Sequence, residues 1–145
     1  MKIAQVCPRY YPHMGGTEVH VKEISERLVK KGFEVEVLTI DPSGRLSREE
    51  IINDVKVKRF RLWARNKVYD FSRELLIYLS HKSSNYDVVH AHSYHAFPAL
   101  ATAITKKKRK LVLTTHYFGM GSSKAMAFAH ILYFPIGAWM LRSAD

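Results

Sequence analysis

The sequence of 145 residues contains one cysteine, Cys7, so no disulfide can form within the chain and a bridge-stapled fold is excluded. This usage fits a reducing compartment, and a cytoplasmic location is expected. There is no internal repeat and no low-complexity linker, and the length suits one ordinary domain rather than two. The first segment, Met1–Cys7, has neither the length nor the cleavage pattern of a signal peptide and reads as a strand. A G-x-G-x-x-G dinucleotide fingerprint is missing. Base-specific nucleic-acid modules are also not visible. Arg59, Arg61, Arg65 and Lys67 add basic surface without an aromatic stacking pattern. Acidic residues are scarce, 13 against 23 Lys and Arg, and the formal charge of +10 favours anionic partners: phosphates, nucleic acid or acidic lipid. What is present is ordinary for a globular chain, with 47% hydrophobic and 25% charged residues, which argues against disorder.

Apolar periodicity divides the chain into alternating elements. Lys2–Cys7 is a short strand closed by Pro8, and Arg9–Gly16 is loop by composition. Val21, Ile24 and Leu28 predict a helix over Thr17–Lys31, capped by Thr17, with Glu18 in its first turn and Gly32 beyond its end. Glu34–Ile40 alternates as a strand. Asp41–Asn53 reads as loop with room for a helical turn at Arg48–Ile52. Val55–Leu62 sets basic residues between apolar ones, which suits an exposed or edge strand. Asp70–His81 is a predicted helix capped by Asp70, and Asp87–His92 a strand. Tyr94–Lys107 is a helix that tolerates Pro98 near its start, Lys110–Thr115 a strand, and Lys124–Ser143 a helix interrupted near Pro135 and Gly137. Such alternation predicts an α/β class, a Rossmann-like parallel sheet flanked by helices. Ligands of such sheets bind outside the carboxyl ends of the strands.

Three expected strand ends carry unusual residues. Gly15 and Gly16 directly precede a helix, whose free N–H groups and positive dipole end bind anions; the same pair also suits a flexible turn. Asp41 could mimic a ribose-binding acid, but with Pro42 after it the turn reading is preferred. His90 and His92 lie two apart on one strand and so face the same side, with His95 following. Thr114, Thr115 and His116 precede Tyr117 and the glycines Gly119 and Gly121. A lone strand histidine is usually structural, whereas several at adjacent carboxyl ends point to a site. H-x-H can chelate zinc, but no third ligand is fixed by spacing, so no metal is expected. Lys106–Lys110 reads as a solvated turn before a nucleic-acid or phosphoinositide patch. Ala125–Leu141 has no formally charged residue over 17 positions, near the lower limit for a membrane span. His130, Pro135 and Gly137 within it make a buried or interfacial helix the better reading.

In their order and spacing these residues resemble the N-terminal domain of a GT-B-fold retaining glycosyltransferase, in the group that includes glycogen, sucrose and phosphatidylinositol glycosyl transferases. The features are Pro12, Gly15, Gly16 and Glu18 before an amphipathic helix, then Lys31–Val35, the Asp87–His92 strand, Thr114–His116, and the closing Arg142–Asp145. The histidine-rich segment and Thr115–Gly119 look nearest to the branch that adds N-acetylglucosamine to phosphatidylinositol. The resemblance implies one half of a GT-B fold, with residues 1–145 as a truncated acceptor-side domain. It implies that Gly15, Gly16 and Thr17 lie near the donor diphosphate and that His116 lines the catalytic centre and contacts the transferred sugar. Glu18, His92, Tyr94 and Tyr117 would lie on the acceptor side of the cleft. No cofactor and no catalytic metal are implied; the nucleotide-sugar is a substrate, bound mostly by a second domain or partner subunit, without which this chain is expected to be inactive. Further expected partners are the acceptor and an anionic membrane surface, with no specific nucleic acid. The rival reading is a non-catalytic basic module of the same fold that binds anionic lipid or nucleic acid.

Overall fold

The computed structural model describes residues 1–65, 70–116 and 124–145. Its elements run β1 (Lys2–Val6), α1 (Gly16–Lys30), β2 (Glu34–Asp41), β3 (Glu49–Ile52), β4 (Val55–Arg61), β5 (Ala64–Arg65), β6 (Asp70–Phe71), α2 (Arg73–Lys82), β7 (Val88–His92), α3 (Phe97–Ile104), β8 (Lys110–Thr114) and α4 (Lys124–Ser143). Six strands form one sheet in the order β3-β4-β2-β1-β7-β8, parallel throughout except for β3 on β4. β5 and β6 pair separately as a small antiparallel ribbon. The α/β class and the parallel sheet are therefore as the sequence predicts.

Both sheet faces are covered. Ala4, Val6, Leu38, Ile40, Phe60 and Val89 point to the face packed by Leu75 and Leu79 of α2 and Ala101 of α3. Cys7, Val35, Val37, Val55 and Val57 point to the other face, beneath Val21 of α1. The odd–even alternation along β2 thus feeds two cores at once, as a central parallel strand requires. A third cluster joins Ala91, Ala99 and Leu111 to Met140 of α4. Each fully buried leucine here contributes ~1.5–3 kcal/mol of transfer free energy.

Local chemistry moves several boundaries. Arg48–Ile52 holds no helical turn: Glu49–Ile52 is an antiparallel strand, because Asn53 (φ 49°) and Asp54 (φ 65°) form a tight hairpin whose two central residues both take positive φ. That strand, not Val55–Leu62, is the edge on this side of the sheet. The cap of α1 is Gly15 rather than Thr17, and its side-chain-free position makes no capping bond. Ser72, not Asp70, caps α2 by accepting from the Leu75 N–H, while Asp70 is held in β6 by Arg9 at 2.9 Å. α3 starts only at Phe97, because Ser93 takes φ 64° and turns the chain. α4 runs unbroken through Pro135, and Gly137 leaves room for the Tyr94 ring, which an added Cβ would meet at 2.8 Å.

Candidate functional site

The chain leaves β1 toward β2 on one side and later returns to β7 on the other, so the sheet order reverses between β1 and β7. Side chains at the carboxyl ends of these two strands share a crevice by construction. His92 ends β7 fully buried; its Nε2 bonds the Gln5 Oε1 of β1 at 2.7 Å and its Nδ1 lies 3.1 Å from the His116 Nε2. His90, on the same side of β7, bonds the Thr114 hydroxyl through Nε2 at 2.7 Å. The β7–β8 ladder continues past the strands, with the Ser93 N–H donating to the Thr114 carbonyl at 2.9 Å. Just beyond that ladder His116 adopts φ 46°, a left-handed conformation that costs a non-glycine residue ~1–2 kcal/mol. That twist accompanies an imidazole placed against His92.

Sequence reasoning missed two members of this group. His20, on the second turn of α1, sets its ring edge-on to His116 at 4.9 Å and to His92 at 5.7 Å. Its sequence signal was only a histidine two residues after Glu18 on a helix assigned to packing. Gln5 is a fully buried polar residue between the apolar Ala4 and Val6, a signal the strand reading passed over.

Burial sets the electrostatics. It holds His92 down to about 2 and His90 to about 4, with neighbouring imidazoles adding to the effect. His116 is also lowered, by burial first and His20 second, against an opposing pull from Glu18. At neutral pH these three rings are uncharged, so each offers one N–H donor and one lone pair, the pairing that hydroxyl groups require.

The other half of the rim is the α1 N-terminus. Gly15 is extended and Val19 makes the first bond back to it, so the N–H groups of Gly16, Thr17 and Glu18 precede the helical ladder. A Cβ at Gly16 would meet nothing within 4 Å, whereas one at Gly15 would meet the Glu18 carboxylate at 2.5 Å. Glu18 thus folds back over Gly15, and Thr17 is half-buried beside it. The expected residues Gly15, Gly16, Thr17, Glu18, His92 and His116 therefore share the carboxyl end of the sheet. Tyr94 packs its ring on Gly137 of α4, and its carbonyl accepts from Tyr133. Tyr117, Lys67, Gly119 and Gly121 lie outside the described residues. Asp41 is the last residue of β2, and its carboxylate holds the turn that follows, accepting from Ser43 and the Leu46 N–H. Within Lys106–Lys110, Lys106 bonds Asp145 at 2.8 Å and Arg109 is buried on the Thr105 carbonyl, so part of the run is structural.

Comparison with known proteins gives a consistent picture. Residues 14–145 match the model of Glycosyltransferase Family 4. An uncharacterized glycosyltransferase of Methanocaldococcus jannaschii is 36% identical over 103 residues, which are 65% of this chain and 25% of that protein. The phosphatidylinositol N-acetylglucosaminyltransferase GPI3 subunit of Saccharomyces cerevisiae is 33% identical over 55 residues, 38% of this chain and 12% of that protein. Sucrose-phosphate synthase from Thermosynechococcus elongatus superposes with a TM-score of 0.61 over 94% of this chain and 39% of that one; at 16% identity the likeness is one of fold. The match spans about a quarter or less of the curated relatives.

Proposed function

We propose, from the premise that the chain belongs to Glycosyltransferase Family 4, that it forms the acceptor half of a retaining enzyme moving a sugar from a nucleotide-sugar to an acceptor. The observation that carries this reading is one rim holding both an uncapped, glycine-opened helix N-terminus and a group of uncharged histidines. Sugar transfer develops positive charge on the sugar and negative charge on the departing diphosphate. Fixed backbone donors of Gly16 and Thr17, at a positive dipole end, stabilise the diphosphate. His116 holds sugar hydroxyls through its neutral imidazole. His92, braced by Gln5, orients His116. Glu18, folded over Gly15, turns aside as the diphosphate arrives, because two anions repel at that distance. The opposing wall, with most contacts to the nucleotide-sugar, comes from a second domain or partner subunit, and the chain alone is inactive.

The relative that carries phosphatidylinositol N-acetylglucosaminyltransferase in its name supports an N-acetylhexosaminyl donor and a lipid acceptor. A lipid acceptor also suits α4, whose Phe128, Ile131, Leu132 and Phe134 are exposed. No described helix is long and apolar enough to cross a membrane; the exposed apolar side chains of α4 and the +10 charge support a peripheral association.

Gly16→Val tests the site directly. Open space surrounds the missing Cβ, so the fold survives and circular dichroism stays native. The branched side chain fills the place of the diphosphate, and sugar transfer by the full-length enzyme falls ~10²-fold or more. A near-wild-type rate in the folded variant would reject this placement of the donor.

A further inference from the structure

Three histidines from three separate elements converge at the rim: His20 from α1, His92 from β7, and His116 beyond β8. One ring nitrogen of each lies within 4.8 Å of the other two. We propose that His20, His92 and His116 form a binding site for a divalent transition metal of the zinc class. The expectation of no metal stood on the absence of a third ligand at fixed spacing, and the tertiary structure supplies that ligand from a helix far away in the sequence.

The spacing matches chelation: a metal replaces the His116 Nε2–H to His92 Nδ1 hydrogen bond, and His116 switches tautomer so that its proton sits on Nδ1. Zinc–nitrogen bonds of ~2.0–2.1 Å in a tetrahedron place the ligating nitrogens ~3.3 Å apart and the imidazole centres ~5 Å apart. Here the His92 and His116 nitrogens are 3.1 Å apart. Ring centres stand at 4.9 Å for His20–His116, 5.3 Å for His92–His116 and 5.7 Å for His20–His92. His90, by contrast, lies 4.1 Å from His92 with rings tilted by only 36°, and its Nε2 is engaged by Thr114, so it does not belong to the set. A small turn of the exposed His20 ring closes the remaining distance.

The surroundings of His92 resemble a ligand's support. Its Nε2–H donates to the Gln5 Oε1, which leaves the lone pair on Nδ1, the nitrogen that faces His116. Metal-bound histidines hold their second nitrogen in this way, on a carbonyl or carboxylate that fixes the tautomer. The set contains three imidazoles and no carboxylate, a donor class that suits zinc, cobalt, nickel or copper and disfavours magnesium and calcium. His20 lies on the exposed side, so the fourth position opens to solvent and takes water. A metal ion there occupies His116, and sugar transfer and metal occupancy exclude each other. Binding itself does not depend on the transferase reading.

The test uses Zn²⁺ by titration calorimetry and Co²⁺ by visible absorption, on the apo chain with no affinity tag. One Zn²⁺ per chain and the intense visible bands of four-coordinate Co²⁺ are expected. His20→Ala, at an exposed position that leaves the core intact, lowers the affinity at least 10²-fold and abolishes the Co²⁺ bands. His116→Asn does the same, while His81→Ala, on the exposed face of α2, leaves both signals unchanged. Magnesium gives no heat and does not compete. No one-to-one binding, or binding equal in wild type and His20→Ala, would overturn the site. Transfer in zinc-free buffer that depends on Gly16 while zinc fails to bind would overturn this inference and leave the proposed function standing.

Discussion

His116 combines a left-handed backbone with a ring that meets two other histidines, so its substitutions separate two effects. His116→Gly relieves the backbone, His116→Asn tolerates it, and His116→Ala does neither. The alanine variant is expected to be less stable than the glycine variant by ~1 kcal/mol in urea unfolding, although alanine is ordinarily the more stabilising residue. All three lower transfer by ~10²-fold, because all three lose the imidazole. Equal stabilities with unequal rates would show that the strain is not what the position costs. Asp41 makes a simpler case. Burial alone would raise its carboxyl, but the hydroxyl and N–H of Ser43 and the N–H of Leu46 hold it below the ordinary range. A folded value below the unfolded one means that the unfolded chain takes up the proton first. This contribution is therefore present above pH ~4 and lost as pH falls through the unfolded value toward the folded one. Asp41→Asn is expected to cost ~1–2 kcal/mol at pH 7 and to flatten the decline of the urea midpoint between pH 5 and pH 3. An unaltered acid limb would remove Asp41 from the account.

At the scale of elements, Arg59 ties the site-bearing loop to the sheet. It is 2% exposed, donates to the carbonyls of Tyr11 and Ser47, and pairs with Glu50 of β3. One guanidinium thus joins β4, the edge strand β3 and the loop that leads to Gly15. Arg59→Met keeps much of the volume but leaves the Tyr11 and Ser47 carbonyls and the Glu50 carboxylate without their shared donor, at a cost of ~1–3 kcal/mol. Arg59→Lys recovers only part, because an ammonium cannot span three acceptors with a planar fork. Urea unfolding of both variants decides this; a methionine variant as stable as wild type would mean that packing alone holds the loop. The same residue shows what was legible in the sequence. Alternating basic and apolar residues in Val55–Leu62 suggest an edge strand, and the alternation is real, but the strand lies inside the sheet. Arg59 does not face water; it is buried against partners contributed by two other segments. The hairpin that covers β4 was hidden because Asn53-Asp54 lacks the glycine that usually marks such a turn.

The whole molecule presents opposed kinds of surface. Its charge is +10, and α4 exposes Phe128, Ile131, Leu132, Phe134 and Trp139 along one helix. The chain is expected to sediment with vesicles containing acidic lipid at low salt, and less so near 1 M salt, where the screening length shrinks to ~3 Å. Replacing Phe128, Phe134 and Trp139 together by serine lowers the salt-resistant part of binding, which measures apolar insertion. Absence of binding at low salt would end the peripheral-membrane proposal, since the electrostatic attraction is greatest there.

The sequence by itself determined the alternation of strands and helices, the parallel sheet, and the gathering of Gly15, Gly16, His92 and His116 at one end of it. These depend on period, punctuation and the rule that loops at strand ends share a side, all of which are local or topological. Tertiary structure alone decided that His20 joins His92 and His116, that Gln5 braces His92, and that Arg59 turns inward. Each of these brings together residues from different elements, and their distances depend on how α1 lies across the sheet and on the left-handed turn at His116. Periodicity places a side chain on a face; only the packing of one element on another determines what it meets there.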